Sequence, residues 1–124
     1  MPDKKKILII EDSKLLSTIL EAKFKEKEFE VFISFNGEDG LEKAKQTRPD
    51  IIILDLILPK LSGEYVCKQI RNDEQLKDTP IIMLTAKDSD VDKVIGRVIG
   101  ADTYLPKPFE MEKLLKEIDR LIAG

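Results

Sequence analysis

The chain has 124 residues, 42% of them hydrophobic, with 21 Lys and Arg set against 24 Asp and Glu for a net charge of −3. That length suits one hydrophobic core and leaves no room for a second. The mild acidity argues against direct nucleic-acid binding, which needs a clustered basic face. Cys67 is the one cysteine and histidine is missing altogether, which excludes an internal disulfide, histidine-based general base chemistry and the commonest transition-metal ligand.

Any metal is therefore expected to be hard and held by oxygen. Cys67, with no histidine to activate it, reads as a small apolar residue. No apolar run approaches the roughly 20 residues of a membrane span, and no signal peptide is visible. The expected location is the cytoplasm, away from any membrane, where a lone cysteine stays reduced.

Along the chain, short apolar runs alternate with amphipathic segments. Residues 7–10 (ILII) form the first run. After Ser13, Leu15, Leu16, Ile19, Leu20 and Phe24 recur at helical spacing and predict a first helix. Residues 31–33 make a second, more alternating run, and Asn36 can cap a second helix carrying Leu41 and Ala44. Residues 51–54 make the third run, with Gly63 preceding a third helix that carries Val66 and Ile70. Residues 81–84 make the fourth, and Asp88 or Ser89 can cap a fourth helix with Val91, Val94, Ile95 and Val98. Residues 103–105 form a short fifth run. A last helix from about Glu110 carries Met111, Leu114, Leu115, Ile118, Leu121 and Ile122.

The first, third and fourth runs are apolar throughout, as strands covered on both faces are. The second and fifth suit the edges. Five strands alternating with five helices predict a doubly wound α/β domain with a parallel sheet and right-handed crossovers. Ligands of such folds sit beyond the carboxyl ends of the strands, so the residues after each run are the candidates. Glu11 and Asp12 follow the first run, Asp55 the third and Thr85 the fourth, while Lys107 comes just after the fifth. If the first and third strands are neighbours, three carboxylates converge and repel one another unless a cation joins them. Magnesium suits that set, since it takes carboxylate, water and phosphate oxygens. One acid can then act as nucleophile towards a phosphoryl group, with the metal, a hydroxyl and an ammonium neutralising its charge.

The segments ILIIEDS (7–13), DIIILDLILPKLSG (50–63), PIIMLTA (80–86) and GADTYLPKPF (100–109) together resemble the response-regulator receiver family of two-component phosphorelays. The match covers essentially the whole chain, read as one receiver domain over 1–124. The resemblance implies a flavodoxin-like (βα)5 three-layer fold with strand order 2-1-3-4-5. It also implies a phosphoacceptor that catalyses its own phosphorylation and dephosphorylation rather than a turnover enzyme. Asp55 would be the phosphoacceptor. Magnesium, with manganese as a substitute, would be held by Asp12, by Asp55, by Glu11 largely through water, and by the carbonyl of Ile57. Lys107 and Thr85 would contact the phosphoryl group, and Tyr104 would move inward with Thr85. Pro59 and Gly63 match the loop after the acceptor, and the Lys107–Pro108 bond would be cis. The implied partners are a histidine kinase or phosphotransfer protein, and a downstream target or second copy on the face formed by the fourth helix, fifth strand and fifth helix.

Three other readings share parts of this pattern. A flavodoxin-like cofactor binder needs a phosphate-cradling loop rich in Ser, Thr and Gly after the first strand, where Glu11 and Asp12 would repel phosphate. An aspartate-nucleophile phosphatase would place its second Asp two residues after the first, where Lys14 stands. A pseudo-receiver would lack one of the five site residues, and none is missing. Whether the chain acts alone or is cut from a longer regulator is open at this point.

Overall fold

In the computed structural model, which describes residues 3–86 and 100–123, the five apolar runs become five strands of one parallel sheet ordered β2-β1-β3-β4-β5. The strands are β1 (Lys6–Ile10), β2 (Glu30–Ser34), β3 (Ile51–Asp55), β4 (Ile81–Ala86) and β5 (Thr103–Lys107). The helices are α1 (Lys14–Glu26), α2 (Gly37–Thr47), α3 (Gly63–Arg71) and a C-terminal helix, Met111–Ala123. The expected fourth helix, with Asp88, Ser89 and its apolar positions, lies outside the described residues.

The run patterns sort the strands as expected. Ile7 to Ile10, Ile51 to Leu54 and Ile81 to Leu84 are fully buried, whereas β2 and β5, at the edges, are mostly half-buried. Successive residues of a strand face opposite sides, so each central strand feeds two cores. Leu8, Ile10, Ile52 and Leu54 pack under α2 and α3 with Leu41, Ala44, Val66 and Ile70. Ile7, Ile9, Ile51 and Ile53 pack under α1 and the C-terminal helix with Leu20, Phe24, Leu114 and Ile118. Burying each such side chain contributes about 1.5–3 kcal/mol.

Local chemistry sets the helix starts. The hydroxyl of Ser13 accepts from the amide of Leu16 at 3.2 Å, and the side-chain oxygen of Asn36 accepts from the amide of Asp39 at 2.8 Å. At α3 the cap is Ser62, whose hydroxyl accepts from the amide of Tyr65 at 3.2 Å, so Gly63 is the first helical residue rather than the one before the helix.

The apolar positions of α1 divide between core and solvent. Leu15 and Ile19 do not face the core: they are 74% and 48% exposed. Leu20 and Phe24 are buried on the inward face together with Ser17. Leu15 and Ile19 are spaced as a helical pair, but their stripe lies about 100° round the helix from the one led by Leu16, Leu20 and Phe24. Ser17 fits the inward stripe because its hydroxyl donates to the carbonyl of Glu11 at 3.2 Å, which satisfies a buried polar group. Among the described residues, no helix is long and apolar enough to cross a membrane.

Candidate functional site

The ladder brings the candidate residues to one edge of the sheet. Asp55 ends β3, Lys107 ends β5 and Thr85 is next to last in β4. Glu11 follows β1 directly, and its amide donates to the carbonyl of Ser34 at 3.0 Å, continuing the pairing with β2. From the sequence these residues stand just past their runs. In the structure Asp55, Thr85 and Lys107 belong to the strands themselves. Side chains rooted in hydrogen-bonded strands hold their positions better than side chains on loops.

Glu11, Asp12 and Asp55 bring carboxylate oxygens within 4.8 Å of one another. Glu11 is completely buried, Asp55 is 7% exposed, and Asp12 lies open to solvent. Like charges that close repel by about 3 kcal/mol per pair at an effective dielectric of 20, before solvent screening. Lys107 offsets part of this: its Nζ donates to Oε1 of Glu11 at 2.6 Å and to Oδ2 of Asp55 at 3.1 Å. Burial by itself would lower the pKa of this ammonium. The hydrogen bond to Glu11 and the charge and hydrogen bond of Asp55 outweigh that effect, and the Lys107 pKa stands above its ordinary value. The second oxygens are also engaged. Oε2 of Glu11 accepts from the amide of Ser13 at 3.0 Å, and Oδ1 of Asp55 accepts from the amide of Ile57 at 3.3 Å.

The donor set suits a hard divalent cation. It offers oxygen alone, from three carboxylates of which one is open to solvent. Cys67 takes no part. It lies on the inward face of α3, buried in the core, and burial pushes its thiol pKa up to about 11.

Thr85 is 1% exposed, beside the strand that carries Asp55. Its partner across the ladder is Pro106, while Met83 faces Tyr104. Thr85 and Tyr104 are thus diagonal neighbours on one face of the sheet. Tyr104 is half-buried against the core under α2 and α3. Ile57 is 67% exposed, and the Lys107–Pro108 bond is cis. The arrangement joins Glu11, Asp12, Asp55 and Lys107 directly, and sets Thr85 and Tyr104 beside them on the neighbouring strands.

Two contributors escape a reading of strand ends. Ser17 holds the Glu11 carbonyl from within α1, and Gly37 at the start of α2 touches the loop after Asp55. A serine on an otherwise apolar helical stripe, and the Asn36-Gly37 pair closing a strand, were the available signals.

Residues 7–119 match the family model described as the response regulator receiver domain. The chain is 40% identical, over 95% of its length, to the alkaline phosphatase synthesis transcriptional regulatory protein PhoP of Bacillus subtilis, of which it covers 48%. It spans about half the length of the curated relatives it matches. It superposes with a TM-score of 0.90 and 30% identity on the receiver domain of the sensor histidine kinase PA1611 of Pseudomonas aeruginosa, whose structure holds magnesium in its active-site cleft; the match covers 98% of this chain and 99% of that one. A TM-score of 0.89 with 28% identity relates it to the co-crystal of the Saccharomyces cerevisiae phosphotransfer protein Ypd1 with the receiver domain of Ssk1, over 99% of this chain and 92% of that one.

Proposed function

Because the chain belongs to the response regulator receiver family, a family of phosphoacceptors rather than turnover enzymes, we propose that Asp55 accepts a phosphoryl group from a phosphohistidine, with magnesium held by Glu11, Asp12, Asp55 and the carbonyl of Ile57. The observation that carries this reading is the cluster of three carboxylates closed on one side by Lys107. We read 1–124 as one receiver domain, working in the cytoplasm with its kinase or phosphotransfer protein as donor. Support for that donor comes from the Ypd1 co-crystal.

In the transfer an oxygen of Asp55 bonds to phosphorus while the bond from phosphorus to the imidazole nitrogen of the donor breaks. Bound magnesium supplies neutralising charge to the phosphoryl oxygens, and manganese, with a similar preference for oxygen, would substitute for it. Lys107 remains an ammonium throughout the physiological range, since its pKa is raised. It can therefore leave Asp55 for the incoming phosphoryl group without losing a proton. The hydroxyl of Thr85 then donates a charge-assisted hydrogen bond to a phosphoryl oxygen. As the hydroxyl shifts, the ring of Tyr104 fills the space it leaves, which biases a two-state face. That face, made by the predicted fourth helix, β5 and the C-terminal helix, would then bind a downstream target or a second copy.

The deciding experiment is acetyl phosphate labelling with and without magnesium, the phosphate mapped by borohydride reduction or peptide mass spectrometry. Label on Asp55 that disappears in excess chelator and in Asp55→Asn is expected. Label on another residue, or undiminished labelling in chelator, would overturn the reading.

A further inference from the structure

The loop between β3 and α3, residues 56–62, carries the one proposed ligand that is not a side chain, the carbonyl of Ile57. Its ends are fixed. The amide of Leu56 donates to the carbonyl of Leu84 at 3.0 Å, and the amide of Gly63 donates to the carbonyl of Leu56 at 2.9 Å. Its middle is held by a separate element: Gly37, the first residue of α2, donates its amide to the carbonyl of Pro59 at 3.2 Å. A Cβ on Gly37 would collide with the carbonyl oxygen of Leu61 and lie 2.8 Å from its carbonyl carbon. The start of α2 and the loop are therefore in backbone contact, at a distance that only glycine permits. One turn further on, a Cβ on Gly40 would lie 2.7 Å from two side-chain carbons of Ile10, the residue before Glu11. Through these two glycines, α2 spans from the strand that ends in the acids to the loop that carries Ile57.

We propose that Gly37 is a positioning residue for the cation site, setting the Ile57 carbonyl relative to Glu11 and Asp12. This rests on the metal-site reading above. Magnesium demands near-octahedral ligands at about 2.0–2.1 Å, so an oxygen displaced by half an ångström no longer coordinates. A carboxylate can rotate to follow the ion. A loop carbonyl cannot, and its place is set by whatever the loop rests on. Here that support includes the α2 terminus, because Leu58 and Leu61 pack on the core beneath α2 and α3 while the Pro59 carbonyl is tied to Gly37. A methyl group at position 37 would push the loop and the helix apart. The three carboxylates would stay in place.

Magnesium titration of the full chain by calorimetry tests this, on the wild type, Asp12→Asn and Gly37→Ala, with urea melts in chelator alongside. Gly37→Ala should bind magnesium about tenfold or more weakly, the usual effect of removing the support of a ligand, while still unfolding cooperatively in chelator. Wild-type affinity in Gly37→Ala, together with binding that depends on Asp12, would overturn the inference and leave the metal site standing. Wild-type protein that binds no magnesium, or Asp12→Asn that binds as wild type does, would overturn both. A second measurement needs no variant. Hydrogen exchange at the Gly37 amide should slow severalfold when the wild type is saturated with magnesium, because fixing the loop fixes the Pro59 carbonyl. An unchanged rate would overturn the inference even if Gly37→Ala fails to fold.

Discussion

Lys107 ties the stability of the fold to the proposed chemistry. Its ammonium is the cation that Glu11 and Asp55 share, and its side chain is about a third exposed. Replacing it by Met should therefore destabilise the chelated protein by about 1–3 kcal/mol, below the loss for a fully buried pair because solvent screens part of it. Urea melts at neutral pH measure this. The pH dependence has a definite sign. With a folded pKa raised above 10.5, the Lys107 contribution is fully present below the unfolded value and is lost as pH rises through the folded one. The stability gap between wild type and Lys107→Met should thus be constant from pH 7 to about 10 and close in more alkaline solution. Glu117 has the opposite sign. The hydrogen bond from Arg120 holds its pKa below the ordinary 4.5, so its contribution is present above that value and disappears as pH falls through the folded one.

At the scale of elements, α1 and the pair β4–β5 invite separate tests. Leu15 and Ile19 are spaced like core residues yet open to solvent. Substituting either with Thr should change stability by less than about 0.5 kcal/mol. Leu20→Ala, on the inward face, should cost about 2–5 kcal/mol. Equal losses in urea melts at all three positions would contradict the orientation of the helix. On the other side of the sheet, Thr85 and Tyr104 lie diagonally across the β4–β5 ladder. Thr85→Ala should accept phosphate on Asp55 yet show a weakened gain in dimerisation or partner binding. A response equal to wild type would remove Thr85 from the switch.

For the whole molecule, the acid cluster is a conflict between folding and function. Lys107 pairs with two of the three clustered carboxylates, Glu11 and Asp55, so the site keeps residual repulsion that the folded state must tolerate. Asp55→Asn keeps the shape and removes one charge, while Lys107 retains its 2.6 Å bond to Glu11. In chelator this variant should be more stable than wild type by about 0.5–2 kcal/mol. Magnesium, binding the native cluster and not the unfolded chain, should stabilise the wild type more than the variant. The gap should narrow or reverse at millimolar magnesium. Urea melts of both proteins in both conditions measure it, and a variant less stable than wild type in chelator would mean that Lys107 and the Ile57 amide support Asp55 more than its neighbours repel it.

Where apolarity was continuous, sequence was sufficient. Runs such as residues 7–10 and 51–54 have no polar side, as strands covered on both faces do, and their alternation with amphipathic segments points to the α/β class and the central place of those strands. The acids and the lysine at the run ends were equally legible, because topology brings the carboxyl ends of parallel strands to one edge. Burial on α1 was not legible. Leu15 with Ile19 and Leu16 with Leu20 are alternative helical stripes, and only docking against Ile9 and Ile53, with Ser17 turned in to bond Glu11, selects the second. Nor could spacing reveal that Lys107 bridges Glu11 to Asp55, residues 96 and 52 positions away in the chain. The same holds for the contact of Gly37 with the loop beside Asp55. Local pattern determines which elements form, because periodicity and caps act within a few residues. Which atoms meet across elements is decided by how those elements pack, and the proposed cation site depends on that packing.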